Sequence, residues 1–300
     1  MPGACAQGLI WGIMAIGVYL TYKILDLADL TVDGTMCLGG AVCIMMMMNG
    51  YPVWAALIGA FCAGLAAGLV TGIFHTVMGI PAILAGILTQ LGLYSINLRI
   101  LDGKANQAVS LDKYDLLVSL RYIKGVAFYK NTIFVAALFI LIIIALLYWF
   151  FGTELGCSIR ATGSNSNMSR AQGINTDKAK IIGLMLSNGI VALSSALLAQ
   201  YNGFADVNVG RGAIVIGLAA VIIGQVVFGW ISNNFAFGLV AVVFGSIIYY
   251  AVQQVVLWIG LNPNDLKLLS AIMVAVFLAI PHMKGKYFTK RPRKEGGKNA

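Results

Sequence analysis

Long uncharged apolar runs dominate this chain, with short polar turns between them. No Asp, Glu, Lys or Arg occurs in residues 34–98, 131–153, 181–205, 212–264 or 268–283. A membrane-spanning helix needs roughly 20 mostly apolar residues, because its backbone groups must bond to one another where no water reaches them. Breakers subdivide the longest runs, since Gly and Pro punctuate helices. Asn49-Gly50-Tyr51-Pro52 and Met78-Gly79-Ile80-Pro81 are two such turns, and residues 229–234 form a third. The resulting segments are 34–48, 52–77, 81–98, 131–151, 180–200, two within 212–264, and 267–283, with a further one at Ala6–Tyr22. The pattern predicts an all-α integral membrane protein, a polytopic helical bundle of about 8–10 membrane segments. The segment at 34–48 is short enough to be interrupted or re-entrant.

Composition agrees with the pattern. The chain is 10% charged and 60% hydrophobic, against about 25% and 45–50% for soluble chains. One membrane domain over residues 1–283 and a basic tail over 284–300 account for the whole length. That tail holds Lys284, Lys286, Lys290, Arg291, Arg293, Lys294 and Lys298 against Glu295. The positive-inside rule places it in the cytoplasm, and it reads as a topology signal rather than a nucleic-acid site. The loop at 152–178 then shares its side, although the stretch on the other side, residues 99–130, also carries basic residues. Five cysteines without a CxxC and two histidines give little material for a metal site, and none is expected. Ala60, Gly64, Gly68 and Gly72 recur every four residues and form a smooth stripe for helix packing.

Polar residues in the spans are either interhelical glue or the lining of a wet path: Asn188, Gln200, Gln225 and Gln253, with Asn202 just beyond a span. The confident spans carry no ionisable group, which argues against ion coupling and for an external energy source. No GxxxxGK[ST] phosphate loop is present, so ATP is not bound here by that means. The spans also lack paired carboxylates or a nucleophile–base set, which disfavours a membrane enzyme.

One polar loop stands out. Asn165 or Ser166 is placed to cap a short helix, and Gly173 to end it in the left-handed conformation. Arg160, Ala161, Gly163, Asn165, Ala171, Gly173 and Ile174 also resemble the loop of bacterial ABC-importer permeases of the ribose and branched-chain amino-acid type. Asp29-Leu30-Thr31-Val32-Asp33-Gly34-Thr35 and Gly79-Ile80-Pro81-Ala82-Ile83-Leu84-Ala85-Gly86 are similar to two further elements of that family, in family order. The second acid, Asp33, resembles the branch associated with aromatic amino-acid-type binding proteins.

The resemblance implies a permease subunit without its own ATPase site, in the bacterial cytoplasmic (inner) membrane. It implies a cytoplasmic ABC ATPase dimer that binds ATP and Mg, an extracytoplasmic substrate-binding protein and a second permease subunit, with a homodimer expected. In this chain it assigns ATPase coupling to Glu154, Arg160, Asn165, Ser166, Met168, Arg170 and Gly173. Asp29, Thr31 and Asp33 fall at the interrupted segment, where they shape the path or cap residue 34 onward. The implied substrate is a small solute, an amino acid first, with a sugar or nucleoside as alternatives. A self-contained carrier or channel is the competing class.

Overall fold

A computed structural model describes residues 2–109, 116–119, 131–228, 234–259 and eight helical positions between 268 and 279. Much of the stretch 99–130, most of the turn at 229–234, most of 267–283 and the tail at 284–300 lie outside the described residues.

Among the described residues the architecture is all-helical apart from one short antiparallel strand pair. In chain order it runs α1 (Pro2–Tyr19), α2 (Thr31–Met48), α3 (Val53–Thr76), α4 (Ala82–Ile100), β1 (Asn106–Ala108), α5 (Thr132–Phe151), α6 (Glu154–Ser164), α7 (Ser166–Ala171), α8 (Thr176–Asn202), β2 (Phe204–Asp206), α9 (Ala213–Phe228) and α10 (Phe235–Trp258). A π-helical turn, Leu20–Ile24, extends α1. Seven of these helices are long and apolar enough to cross a membrane, and α9 is shorter at 16 residues. Breaks fall at the expected turns, with Gly50 and Gly79 at φ of 84° and 69°.

The 27-residue α8 is the mast of the bundle. Helix α1 runs antiparallel to it: Ser194 Oγ donates to the Ile10 carbonyl and Ser187 Oγ to the Gly17 carbonyl, both at 2.7 Å. Helix α2 runs parallel to it, with the Gly40 N–H donating to Ser195 Oγ at 3.1 Å and Ser195 Oγ donating to the Met36 carbonyl. Helix α3 descends along a third side. A Cβ on Gly64 would meet Asn188 and Ala192, one on Gly68 would meet Leu184, and one on Gly72 would meet Ile181. Lipid provides no hydrophobic drive between helices, so this approach of bare backbones supplies the dispersion contact that holds them. Helix α10 returns beside α1, Ser246 Oγ donating to the Gly8 carbonyl at 2.6 Å.

Two ends of the bundle follow from these directions. Strands β1 and β2 pair antiparallel, Gln107 opposite Ala205, at the end where α4 and α8 finish. Helices α6 and α7 lie at the opposite end, between α5 and α8.

Segment 34–48 does not cross alone. Helix α2 begins at Thr31, and Thr35 Oγ1 donates to Asn188 Oδ1 at 2.7 Å. Asn188 is about 18 Å along α8 from Thr176, at 1.5 Å per residue, so α2 starts near mid-depth. Its lower half is non-helical: a Cβ on Gly183 would meet Leu25, and residues 25–30 climb from the α6 end to Thr31. Asp26, at φ 53°, turns the chain there, in a conformation that Asp tolerates better than most residues. Helix α9 repeats the device upside down. Residues 207–212 come in from β2, and the helix starts at Ala213 and runs towards the α6 end, with Gly224 against Ala241 and Val242. The two helix N-termini therefore meet inside the bundle and point in opposite directions.

A bulky residue in the α3–α8 seam should be poorly tolerated. We expect Gly68→Leu to lower stability by at least about 1–3 kcal/mol, the usual range for overpacking. Gly92→Ala, where a Cβ meets nothing within 4 Å, should leave the melting temperature unchanged or raise it. Thermal unfolding in detergent checks both.

Candidate functional site

The mid-depth junction is built from acids and their donors. Asp29 is buried, with 3% of its surface exposed. Its Oδ1 accepts the Thr31 N–H at 2.9 Å, and its Oδ2 accepts Asn188 Nδ2 at 2.7 Å. Asn188 Nδ2 also donates to the Leu184 carbonyl at 3.0 Å. Asp29 thus caps α2, where the first N–H groups have no helical partner and the helix dipole favours a negative group. A chain of hydroxyls continues sideways: Thr31 and Thr71 Oγ1 lie 2.7 Å apart, and Thr71 Oγ1 donates to Thr89 Oγ1 at 3.0 Å.

Asp33 performs the same service for the other broken helix. Its Oδ2 accepts the Gly212 N–H at 3.0 Å and its Oδ1 the Ile214 N–H at 2.9 Å. Gly212 has φ of 87°, a left-handed conformation that suits glycine. Cys37 Sγ fastens the same segment, donating to the Val207 carbonyl at 2.9 Å and accepting the Gly210 N–H at 3.3 Å. Asp33 therefore caps α9, not its own helix from residue 34 onward. It also lies within a span, so the spans are not free of ionisable groups.

Beside this junction a cavity of about 380 Å³ opens between α2, α4 and residues 207–212. Asp33, Gln90, Tyr94, Asn97 and Arg211 are among the residues that line it. Gln90, Tyr94 and Asn97 stand at i, i+4 and i+7 of α4, one helical face. That spacing was the available signal for a wet face on α4, a helix outside the path residues expected from sequence.

At the far end, the loop is two helices where a single short one was expected. Thr153 Oγ1 accepts the Gly156 N–H at 3.4 Å at the start of α6. Asn165 Oδ1 accepts the Met168 N–H at 3.0 Å and caps α7, Ser166 being its first residue. Gly173, at φ 84°, ends the turn after α7. Arg170 reaches back within its own chain, donating to Thr176 Oγ1 at 3.0 Å and to Asp177 Oδ1 at 3.3 Å. Arg160 lies 5.7 Å from the centre of the Phe235 ring, and together with Lys23 and Asp26 it lines a second cavity of about 400 Å³. Glu154, Asn165, Ser166, Met168 and Gly173 are exposed, Met168 at 62%.

The residues expected on the path do not converge. Asn188 is fully buried and its amide is engaged as above. Gln200, also fully buried, donates to Cys43 Sγ at 3.4 Å and accepts the Leu117 N–H at 3.2 Å. Asn202 lines a narrow cleft beside Ser195 and Phe204. Gln225 and Gln253 are half-buried on α9 and α10 and do not line the cavity between α2 and α4.

A sequence model of the family described as "Branched-chain amino acid transport system / permease component" matches residues 3–280. The chain belongs to that family. It is a permease component of an ABC transport system and a multi-pass membrane protein. Among its relatives is a tyrosine transport system permease protein of Clostridioides difficile (strain R20291), 42% identical over 91% of this chain and 88% of the relative. An uncharacterised protein of Rickettsia prowazekii (strain Madrid E), RP368, is 34% identical over 92% of this chain and 95% of the relative. An autoinducer 2 import system permease protein, LsrC, of Yersinia pseudotuberculosis is 30% identical over 74% of this chain and 60% of the relative. Among solved structures, PsaBC from Streptococcus pneumoniae in complex with Fab aligns with a TM-score of 0.52 at 18% identity, over 94% of each chain. That likeness concerns the fold alone.

The Asp29–Asn188 pair should show strong coupling. Asp29→Ala leaves a buried amide without its acceptor, and Asn188→Leu leaves a buried carboxyl short of a donor, so each should cost about 2–4 kcal/mol. The double variant should lose less than the sum, because neither partner is then stranded. Melting temperatures of the four proteins test this, and strict additivity would refute the pairing.

Proposed function

We propose that this permease carries an amino acid, delivered by an extracytoplasmic binding protein, inward through the bacterial cytoplasmic membrane on energy from a separate cytoplasmic ATPase dimer. The observation that carries the coupling half of this reading is the α6–α7 pair. It presents an exposed polar surface with Met168 at its apex, and it is pinned on both sides. Gly163 abuts the Ile24 carbonyl, Gly156 abuts Phe150 and Phe151, and Arg170 ties the turn after α7 to the start of α8. A rigid projection of this kind transmits a push instead of absorbing it.

The sidedness rests on the basic tail, which puts the α6–α7 end in the cytoplasm and the β1–β2 end outside, where a binding protein docks. The preference for an amino acid rests on the name of the Clostridioides relative, and an aromatic side chain is the specific form. A second copy of this chain completes the path. Arg211 is exposed close to mid-depth, and a guanidinium there cannot face acyl chains without large cost. The α4 side of the bundle therefore faces a wet space between copies.

Proteoliposomes holding the permease, with and without a cognate ABC ATPase and binding protein, provide the test. ATP-dependent uptake of radiolabelled L-tyrosine should require all three, and uptake with the ATPase absent would return the chain to the self-contained carriers. Met168→Asp should cut stimulated ATPase activity roughly tenfold or more, as loss of a central contact residue does. The side chain is exposed, so the yield of inserted protein should not change.

A further inference from the structure

The cavity between α2, α4 and residues 207–212 has an unfinished polar lining. Asn97 is 1% exposed, and its Nδ2 donates to the Gly34 carbonyl at 3.3 Å. Its Oδ1 is buried with no hydrogen-bond partner. A buried acceptor left unmade costs stability and calls for an explanation. Asp33 uses one lone pair on each oxygen for the α9 cap, and a carboxylate has further acceptor sites on both. On the same lining stands Arg211, and among the described residues nothing takes up its guanidinium. Leu91 and Tyr94 add exposed apolar and aromatic surface, at 64% and 44%.

Two acceptors, one cationic fork and an apolar wall select a particular chemistry. A lone carboxylate would meet Asp33, and a lone amine would meet Arg211. A sugar would satisfy hydroxyl-scale contacts and leave both charges unneutralised. A molecule with both poles on one carbon answers each group, and at low dielectric both contacts strengthen. The volume of about 380 Å³ lies in the range of small-molecule sites.

On the importer reading given above, we propose that this cavity is a substrate subsite for a zwitterionic α-amino acid with an apolar or aromatic side chain. The ammonium donates to Asp33 and Asn97 Oδ1, the carboxylate accepts from Arg211, and the side chain lies along Leu91 and Tyr94. The permease then selects among solutes itself and is not a featureless conduit behind its binding protein.

The test uses the permease–ATPase complex in lipid nanodiscs, without the binding protein, and radiolabelled L-tyrosine and L-leucine as probes in a scintillation proximity assay. Saturable binding of at least one probe is expected, displaced by L-phenylalanine. Tyramine, which lacks the carboxylate, should displace it poorly, as should 3-(4-hydroxyphenyl)propionate, which lacks the ammonium, and D-ribose. Arg211→Gln should weaken binding about tenfold or more, and Asn97→Leu similarly, the usual effect of losing a charge-assisted or buried hydrogen bond. Arg211 is exposed, so its substitution does not put folding at risk, and Arg211→Lys should restore part of the affinity. Absence of saturable binding, equal displacement by D-ribose or tyramine, or wild-type affinity in Arg211→Gln would overturn the proposal. Uptake that still needs ATP and the binding protein, alongside any of those results, would remove the subsite and leave the importer reading standing. Uptake without the ATPase would remove the importer reading itself.

Discussion

Backbone left unwound inside a membrane must find partners for its N–H and C=O groups, and this constraint organises the protein. Residues 25–30 and 207–212 both break helices in the interior, and both breaks are closed by a carboxylate. Asp29 takes the first N–H of α2, and Asp33 takes two N–H groups at the start of α9. Each acid sits where the helix dipole is positive, so the unfavourable burial of a carboxyl and the unfavourable exposure of N–H groups cancel in part. Removing either acid would strand several polar groups at once.

The junction needs a rigid support, and α8 supplies it through two kinds of contact. Small residues let α3 lie almost backbone to backbone against it, and serine hydroxyls reach across to carbonyls of α1 and α2. Each hydroxyl bond is modest, about 1 kcal/mol or less in membrane bundles. Their effect is one of registration, since a hydroxyl that must meet a particular carbonyl fixes the axial position of a helix that smooth packing would let slide. Asn188 sits at the middle of this array, and its amide joins Asp29, Thr35 and Leu184. The register of α2 and the depth of its cap are thereby set by one side chain.

Much of the fold was legible because insertion and turn chemistry are local. Uncharged runs marked the helices, Gly-Pro turns marked their ends, and the four-residue stripe from Ala60 to Gly72 marked the α8 seam. The cap at Asn165 and the left-handed Gly173 were readable for the same reason. The broken segments were harder. Asp33 looks like a cap for its own helix, and only the fold brings residues 212 and 214 to its oxygens, a pairing across roughly 180 positions that no local pattern encodes. The polar residues left two readings open for the same reason. Asn188, Gln200 and Asn97 are all amides in apolar helices, and burial of their partners separates structural pins from a lining group. Arg170 has acceptors within the chain as well, Thr176 and Asp177 on the next helix.

The two ends of this machine are linked by very little chain. Gly163 of α6 packs on the carbonyl of Ile24 and on Leu25, and only three residues separate Leu25 from Asp29. A displacement of α6 therefore bears directly on residues 25–30, because so short a connection, packed against the backbone of α6, has little slack to absorb it. At Asp29 the displacement meets the Asn188 knot, which resists, and the N-terminus of α2, which carries Asp33 one turn further on. Asp33 in turn holds α9. On the importer reading proposed above, work entering at the α6–α7 surface would arrive at the place where both broken helices begin and where the polar cavity opens. Continuous helices would have spread such a push along their length, whereas two breaks concentrate it at one depth.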